Sequence, residues 1–353
     1  MLAKKFIFCI LFLSINLLGQ QQSVHQIIGT SNKYTYATTK NKLFVFTIDS
    51  QNWREILSFA KKFTTTNQNL RHNSISASCC DSNGNLWILS SRKIAVYFHQ
   101  KNQWEEIKAA SGLQGVSPSI FVKVGMVHWN QKIWIAAQDK LLSYDMHNKK
   151  WSSEPYPIGI SGGMIYIGLD KRLWLSGRAS FDGKGWQKLP PVPSIWQQKQ
   201  NESFAIDSQG RPWIITDTQI YFFDFLQKKW LQATPSEPMT RLTSITCFQN
   251  EMWVCDYGNG IFKLIANKWE KIAIDKPRPS LGYGHNFFVT SNTLWINTYF
   301  GVGSFDGQKW ESHFDYTQYN SVNRLFYSTL ASIIILLIVW IVSVFTVNRF
   351  TKK

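Results

Sequence analysis

Short stretches of aromatic and β-branched residues alternate with clusters of Asp, Asn and Gly over most of the chain, and no helical periodicity occurs before Tyr327. Residues of the first kind favour strands, and those of the second kind tolerate the backbone angles of tight hairpins. The turn Asp81-Ser82-Asn83-Gly84-Asn85, followed by Leu86-Trp87-Ile88, is an example. The pattern therefore predicts a protein built from many short strands.

A tryptophan in a strand-like segment recurs along the chain, and a second tryptophan follows it 12 to 17 residues later. Counting back 17 residues from Trp53 gives Tyr36, which completes the series with a tyrosine. The first positions lie 39 to 51 residues apart, which suits a four-stranded propeller blade. The sequence thus predicts an all-β, seven-bladed β-propeller over residues 24–316, with the aromatic pairs buried between blades. The first positions are Tyr36, Trp87, Trp134, Trp174, Trp213, Trp253 and Trp295, and the second are Trp53, Trp104, Trp151, Trp186, Trp230, Trp269 and Trp310.

The two ends of the chain carry hydrophobic segments of different length. Lys4 and Lys5 precede an apolar run that is too short to cross a bilayer, so residues 1–20 are predicted to be a signal peptide, with an uncleaved anchor as the alternative. Residues 325–347 are predicted to span the membrane as a helix. The cations of the tail, residues 348–353, favour a cytoplasmic C-terminus. We therefore expect a single-pass membrane protein with an extracytoplasmic propeller, periplasmic in a Gram-negative bacterium.

The formal net charge is +16, and +11 remains once five terminal cations, Lys4, Lys5, Arg349, Lys352 and Lys353, are set aside. A basic surface attracts acidic partners such as anionic glycans or lipid headgroups. A generally basic composition of the proteins in the source organism explains the same charge, and the two explanations stay open. Nucleic acid is not expected as a partner of an exported protein.

The repeats resemble those of the two-component regulator propeller family, which form extracytoplasmic sensor domains of bacterial hybrid histidine kinases. The resemblance rests on residues 75–88, where an Asp-x-x-Gly turn precedes a Leu-Trp-Ile strand, and on the Phe-Asp-Gly-x-x-Trp endings at 181–186 and 305–310. The repeat pattern covers about 290 residues of the chain. The resemblance implies a propeller with a sensory function.

The sequence departs from that family outside the propeller. Family members often carry a second propeller, a β-sandwich domain and a cytoplasmic kinase, whereas six residues follow the predicted membrane helix here. We therefore expect the sensing part of such a protein without the transmitting part. Three alternatives stay open: a separate membrane kinase or other partner protein transmits the signal, the chain is a membrane-held binding module, or it is a truncated relative of a kinase.

The sequence gives no indication of a catalytic, metal or cofactor site. The His-x-x-x-His and Cys-x-x-Cys spacings of metal sites are missing, and many of the 22 acidic residues stand in predicted turns. We therefore expect no enzyme, no metal and no cofactor, although loops of a propeller can assemble a site from distant residues.

Four cysteines lie outside the predicted signal peptide. Cys247 and Cys255 flank a predicted hairpin and are expected to face each other across it. An extracytoplasmic setting permits a disulfide between them, and buried free thiols are the alternative. Cys79 and Cys80 are neighbours in a strand and are expected to point to opposite faces, so no bond is predicted between them.

Ligands of propellers usually sit over the central channel, on the loops that lead into the innermost strand of each blade. Trp129 and Trp196 lie in the propeller but outside the repeat register. Each ring either stacks on a sugar or anchors a protein, or else fills a local gap. The candidate ligand-binding residues are Arg71, His72, Asn73, Trp129, Trp196, Arg241, Tyr283, His285 and Asn286.

The sequence favours a non-catalytic, membrane-anchored propeller that binds an extracytoplasmic glycan or protein and serves as the sensory part of a signalling system. A structural or assembly scaffold at the membrane surface is the second hypothesis, and a propeller-type hydrolase or lyase is the third. A basic, aromatic-lined pocket over the channel would favour the first hypothesis, and a flat apolar face the second. Converging carboxylates or a metal cluster would favour the third.

Overall fold

A computed structural model describes residues 26–38, 42–56, 75–90, 93–108, 125–137, 139–160, 163–176, 178–191, 203–234, 238–272, 284–298 and 301–313. These residues form 28 strands and contain no helix. The strands group into seven four-stranded sheets, each antiparallel. The predicted all-β fold with seven blades is therefore confirmed.

The strands of each blade follow one another in chain order. Blade 1 consists of β1 (Gln26–Thr30), β2 (Tyr34–Thr38), β3 (Leu43–Thr47) and β4 (Asn52–Glu55), and blade 2 of β5 (Ile75–Cys80), β6 (Leu86–Ser90), β7 (Lys93–Phe98) and β8 (Gln103–Ile107). Blade 3 consists of β9 (Met126–Trp129), β10 (Lys132–Ala136), β11 (Lys140–Asp145) and β12 (Lys150–Pro155), and blade 4 of β13 (Ile165–Ile167), β14 (Leu173–Leu175), β15 (Ala179–Phe181) and β16 (Trp186–Lys188). Blade 5 consists of β17 (Ser203–Ile206), β18 (Pro212–Ile215), β19 (Ile220–Asp224) and β20 (Lys229–Ala233), and blade 6 of β21 (Leu242–Phe248), β22 (Glu251–Asp256), β23 (Gly260–Ile265) and β24 (Lys268–Lys271). Blade 7 consists of β25 (Gly284–Val289), β26 (Leu294–Thr298), β27 (Gly301–Phe305) and β28 (Trp310–His313).

Each blade begins and ends on the same face of the ring, because four antiparallel strands reverse the chain three times. The links between blades and the turns between second and third strands lie on this face, which we call the connection face. The other two turns of each blade lie on the opposite face, which we call the hairpin face. Gln26 and His313, the ends of the described ring, therefore both lie on the connection face.

The hairpin face contains tight turns that explain its Asn and Gly residues. Asn130 and Gln131 have φ angles of 49° and 60°, and Gln249 and Asn250 have 51° and 64°. Two consecutive positive φ angles are typical of the type I′ turns that suit the twist of hairpins. The longer turns of blades 2 and 5 place a glycine at φ 80°, a region that side chains with a Cβ rarely occupy.

The core consists of seven apolar layers, one between each pair of neighbouring blades. All seven first aromatic positions, from Tyr36 to Trp295, are buried in these layers, as the repeat pattern predicts. The second tryptophans differ from that prediction because they stand on the outermost strand, beside solvent. Trp269 is buried, and six are half-buried: Trp53, Trp104, Trp151, Trp186, Trp230 and Trp310.

The ring closes between blade 7 and blade 1 without a shared blade, because all four strands of each come from one continuous stretch of chain. The Asn297 side chain links the two blades: its Oδ1 accepts the Ile27 N–H at 2.7 Å, and its Nδ2 donates to the Ile27 carbonyl at 3.3 Å. Phe46 and Trp295 pack edge to face across the same seam, with ring centroids 5.3 Å apart. Side-chain contacts therefore hold the first and last blades together.

The predicted signal peptide, membrane helix and tail lie outside the described residues. Within the part that the structure describes, no helix has the length and apolar character needed to cross a bilayer.

Candidate functional site

The innermost strands of the seven blades surround a central channel with a cavity of about 710 Å³. Four of these strands, in blades 1, 2, 6 and 7, contain a β-bulge close to their first residue, at the connection face. The bulged residues Ile28, Ser76 and Thr243 line the cavity. Because a bulge redirects a side chain and breaks the regular strand edge, this end of the channel has an irregular, sequence-specific rim.

Apolar side chains, among them Tyr166, Phe287 and Phe288, line the channel together with hydroxyls and thiols, and at pH 7 the described lining carries no formal charge. Burial lowers the pKa of His128 below its ordinary value of 6.5, so the imidazole is neutral. Burial raises the pKa of the Cys79 and Cys80 thiols, and that of Cys247 to about 11, so all three are protonated. Aliphatic hydroxyls come from Thr30, Ser76, Ser78, Ser203, Thr243, Ser244 and Thr246. Such a surface binds uncharged polar molecules by hydrogen bonds and offers no ion pair.

Some of these hydroxyls bind the inner backbone of the next blade. Ser203 Oγ accepts the Ile245 N–H at 3.2 Å, and Ser244 Oγ accepts the Phe287 N–H at 3.1 Å. An innermost strand has no neighbouring strand on the channel side, so these N–H groups would otherwise lack a partner within the protein. Ser203 and Ser244 therefore hold neighbouring blades in register.

Two further polar residues of the lining are His128 and Asn286. The Nε2 atom of His128 is buried and has no hydrogen-bond partner among the described residues. The Asn286 side chain is exposed and lines the cavity just after the bulge of β25. The exposed primary amide of Asn286 supplies a donor and an acceptor that match hydroxyl or amide groups of a bound molecule.

Arg241 lies on the connection face, immediately before β21. The buried Asp256 carboxylate fixes this stretch, because it accepts the N–H of Thr240 at 2.7 Å and that of Arg241 at 3.3 Å. The Arg241 guanidinium lies 4.9 Å from the centroid of the Tyr257 ring, a cation–π geometry. The side chain is exposed and does not line the channel. It is a positioned cation beside the channel rim.

The structure describes the side chains of three candidate ligand-binding residues. Arg241 and Asn286 share the connection face, as predicted, and Asn286 lines the channel. His285 is the bulged residue of β25, and its side chain lies outside the described part. The remaining candidates lie outside the described residues: Arg71, His72, Asn73, Trp196 and Tyr283.

Trp129, the third candidate, is part of the core. Its side chain is 8% exposed, and its ring centroid lies 5.7 Å from that of Trp134 and 6.1 Å from that of Phe181. Its indole N–H donates to the Lys171 carbonyl at 2.9 Å. The ring fills a gap between blades 3 and 4, and its selection as a ligand-stacking residue is corrected accordingly.

Cys247 and Cys255 are both free thiols, which is the alternative to the possible disulfide between them. The hairpin turns at Gln249 and Asn250, so Cys247 pairs with Met252 rather than with Cys255. The two sulfurs consequently lie on opposite faces of the sheet, Cys247 between blades 5 and 6 and Cys255 between blades 6 and 7. The sequence spacing suggested facing side chains because it implied a turn centred on Glu251, whereas the turn lies at Gln249 and Asn250.

The sequence analysis missed the channel hydroxyls, because it searched the connecting loops and not the inner strands. A signal was present: Ser78 and Ser244 each stand nine residues before the buried tryptophan of their blade. The sequence also contains the letters Gly-x-Ser-x-Gly at 159–163, before β13. A nucleophile elbow joins a strand to a helix, whereas this stretch leads into a strand, and its serine lies outside the described residues.

Clusters that would favour metal chemistry are also missing from the described residues, in which no three His, Cys, Asp or Glu side chains come together to hold an ion.

Comparison with known proteins relates one segment by sequence and the whole ring by fold. Residues 69–92, which include the first hairpin of blade 2, match the family model described as two component regulator propeller. No curated protein matches the chain significantly. A streptogramin B lyase structure superposes with a TM-score of 0.57 at 14% identity, covering 84% of this chain and 95% of that chain.

Two structures from B. thetaiotaomicron share the fold. The extracellular domain of BT4673, assigned to a one component system, gives a TM-score of 0.57 at 17% identity and covers 81% of this chain and 38% of that chain. The extracellular domain of BT3049, assigned to a hybrid two component system, gives 0.54 at 15% identity, with coverages of 80% and 40%. The present chain thus spans less than half of each. The chain therefore resembles the two component regulator propellers in the sequence of one repeat and in the fold of the complete ring.

Proposed function

We propose that the protein is a non-catalytic recognition propeller, anchored in a membrane by residues 325–347, that binds an extracytoplasmic partner at the connection face. It serves as the sensory part of a signalling system whose kinase is a separate polypeptide. The observation that carries the proposal is a complete seven-bladed ring with an open channel, whose lining offers hydrogen bonds but neither a metal cluster nor charged groups among the described residues.

The chemistry of the channel supports an uncharged glycan as its ligand. Sugar hydroxyls match the hydroxyl and amide groups of the lining, and the cavity of about 710 Å³ falls within the range of small-molecule sites. An acidic glycan would find no cation in the described lining. An acidic partner would find the exposed cation Arg241 outside the channel, on a protein whose formal net charge is +16.

The fold also supports an orientation relative to the membrane. The described ring ends at His313 on the connection face, and the predicted membrane helix begins at residue 325. The residues between them reach at most about 40 Å when fully extended. The tether to the membrane thus starts on the connection face, and we propose that the hairpin face is turned towards the surroundings.

A ligand screen on the full chain in detergent micelles tests the proposal. Neutral and acidic oligosaccharides are added separately, and the unfolding midpoint is measured. A ligand at 100 times its Kd stabilises the folded state by about 2.7 kcal/mol. We expect neutral oligosaccharides to raise the midpoint, and acidic ones to act weakly or not at all.

A pair of matched variants locates the site. Asn286→Trp places a large ring at the channel rim, and Asn292→Trp places the same ring at the opposite end of the same hairpin, where Asn292 is exposed. The first variant should abolish the stabilisation and the second should keep it. Equal responses would place the ligand outside the channel, and no response to any oligosaccharide would argue against glycan recognition.

An assembly function is the second candidate, and one side chain favours it. Leu226 is 96% exposed in the turn between β19 and β20. Blade 3 contains a turn of the same length and similar sequence, in which the exposed His147 occupies the corresponding position. The turn therefore does not require a leucine, and an exposed apolar side chain on the outward-turned hairpin face is suited to a protein partner.

The variant Leu226→His, which copies blade 3, tests this candidate. Full-length protein is isolated with mild detergent from cells expressing either form, and the co-purifying proteins are compared. An assembly role predicts that a specific partner is lost with the variant while the oligosaccharide response of the purified protein is kept. An unchanged set of partners would remove Leu226 from consideration.

A further inference from the structure

A position at or beside the end of the outer strand repeats around the ring. It stands three residues after the outer tryptophan, and in five blades it is an aliphatic residue packed into an inter-blade layer. Blade 3 has the exposed Glu154 at this position, and blade 7 has His313. The five aliphatic residues are Ile56, Ile107, Leu189, Ala233 and Ile272. An ionisable ring thus replaces an aliphatic side chain at the seam where the ring closes.

His313 bridges the two blades of that seam. Its Nδ1 accepts the indole N–H of Trp53 of blade 1 at 3.4 Å, and its Nε2 lies 2.8 Å from the Ser304 hydroxyl of blade 7. Its ring centroid lies 5.1 Å from that of Trp295 and 5.4 Å from that of Phe46. The Trp53 bond requires an unprotonated Nδ1, because the indole nitrogen is a donor only. The geometry therefore assigns a neutral imidazole with its proton on Nε2.

Protonation removes this link. An imidazolium carries N–H groups on both nitrogens, so Nδ1 becomes a donor that faces the indole donor of Trp53. The new charge also lies in a largely apolar layer, where burial disfavours it. We propose that His313 is an acid-sensitive latch, which holds blade 7 to blade 1 when neutral and loosens this seam when it becomes protonated.

Few charged groups among the described residues lie near His313. Glu311, on the same strand, favours the protonated form, but it is exposed to solvent in part and bonded to Lys309 at 2.9 Å. Burial has the larger effect and lowers the pKa of His313 below 6.5. The unfolded or opened chain therefore takes up a proton at higher pH than the closed ring. The stabilisation from His313 is complete above pH 6.5 and falls as the pH drops from 6.5 towards the pKa of the closed ring.

The latch reaches the channel through the inner strands of the same blades. Residues of β1 and β25 line the cavity on either side of the seam. Thr30 Oγ1 donates to the Val289 carbonyl at 3.4 Å, and Asn297 holds Ile27. Loosening of the seam releases these contacts, so acidification changes the channel in addition to the outer wall. This regulation concerns the ring itself and holds whichever ligand the channel accepts.

Hydrogen exchange on the full chain in detergent, at matched pH values between 8 and 5, tests the latch. The readout is the exchange of the Ile27 N–H, which crosses the closing seam, relative to the Ile245 N–H, which crosses the seam between blades 5 and 6. This ratio cancels the intrinsic pH dependence of exchange. Loss of one hydrogen bond at the seam should raise it about fivefold in acid.

Two variants separate the latch from other acid effects. His313→Gln keeps an acceptor for Trp53 and a donor for Ser304 but cannot be protonated, and it should show a ratio that does not change with pH. His313→Leu restores the aliphatic residue of the other blades and should also be insensitive, which serves as the readout if the glutamine variant folds poorly. His99→Gln and His128→Gln remove the two other histidines whose pKa is lowered among the described residues, and they should keep the acid response.

The latch is overturned if the ratio in the unmodified chain is the same at pH 8 and pH 5. It is also overturned if His313→Gln and His313→Leu retain the acid response, or if His99→Gln or His128→Gln abolishes it.

Discussion

Blades 5 and 7 bury the same tryptophan in different ways. Trp213 and Trp295 are 3% and 1% exposed, each between its own blade and the next. In blade 5 the Trp213 indole donates to Asp207 Oδ2 at 2.8 Å. The same carboxylate accepts the N–H of Gln209 at 2.9 Å and that of Arg211 at 2.8 Å. One aspartate therefore satisfies the buried ring and shapes the turn that precedes it.

Blade 7 has no such carboxylate at its turn. Thr290 begins the turn, and its hydroxyl accepts the Thr293 N–H at 2.9 Å. The Trp295 indole nitrogen is buried and has no partner among the described residues. The ring itself is packed as fully as that of blade 5, so the two blades differ in polar satisfaction and not in apolar burial.

The other blades show that the aspartate is one solution among several. Asp81 serves Trp87 in blade 2 as Asp207 serves Trp213, whereas the indoles of Trp134 and Trp253 donate to backbone carbonyls. The family match at 69–92 falls on the turn of Asp81. The comparison teaches that the aromatic ring defines the blade, while the Asp-x-x-Gly signature defines one kind of turn.

The largest effect should come from removal of the ring itself. Trp213→Ala and Trp295→Ala each leave a cavity in an inter-blade layer and should lower the free energy of unfolding by about 3–5 kcal/mol. The urea midpoint of the full chain in detergent measures this. A cost below about 1 kcal/mol at either site would contradict the buried positions of these rings.

Removal of the polar side chain at the turn should destabilise the protein more in blade 5 than in blade 7. Asp207→Ala leaves the buried Trp213 N–H and two backbone N–H groups without their acceptor, so we expect a loss of about 2–3 kcal/mol. Thr290→Ala removes two neutral hydrogen bonds of the hydroxyl to the Thr293 backbone, but the backbone bond from the Thr290 N–H to the Thr293 carbonyl stays, so it should cost about 1 kcal/mol. Equal losses in urea unfolding would show that the carboxylate has no larger role than the threonine hydroxyl.

The blade count follows from the sequence because it depends on apolar burial alone. Seven aromatic positions at blade spacing fix the inter-blade layers, whichever turn precedes each ring. The half-burial of the outer tryptophans does not follow, since a residue such as Trp310 has the same pattern around it as the fully buried Trp269. The depth of an outer position depends on how far the neighbouring blade extends over it, which is a tertiary property.

The candidate site was less predictable, because single-residue shifts decide it. Cys247 and Cys255 would face each other across a turn centred on Glu251, but the observed turn at Gln249 and Asn250 puts them on opposite faces. Trp129 lies in the core although it is outside the repeat register, because the two-residue turn that follows it leaves a gap beside Trp134. The β-bulges that direct Ser76 and Thr243 into the channel also leave no pattern in one sequence. The spacing of aromatic residues thus predicts the apolar layers between blades, but it does not predict which side chains line the channel rim.

The indole nitrogen can be tested without removing the ring. Trp213→Phe loses the bond to Asp207 and leaves that buried carboxylate with one donor fewer. Trp295→Phe removes an N–H that has no partner among the described residues. Both variants lose similar apolar area, so the excess cost at Trp213, about 1–2 kcal/mol, measures the polar difference between the blades. If the two variants are equally destabilised, the Asp207 bond contributes nothing net to stability.

The smallest effect should come from blade 4, whose aspartate binds the indole as in blade 5 but is exposed to solvent. Asp170 accepts the Trp174 indole N–H at 3.1 Å and the Arg172 N–H at 3.1 Å, but it stands in an exposed turn, whereas Asp207 is buried. Water can replace an exposed acceptor more readily than a buried one, so Asp170→Ala should cost about 0.5–1 kcal/mol. Asp207→Ala is the matched variant, measured by the same urea unfolding of the full chain. A loss at Asp170 as large as that at Asp207 would mean that the bond to the indole, and not the burial of the carboxylate, sets the contribution of these turns to the stability of the ring.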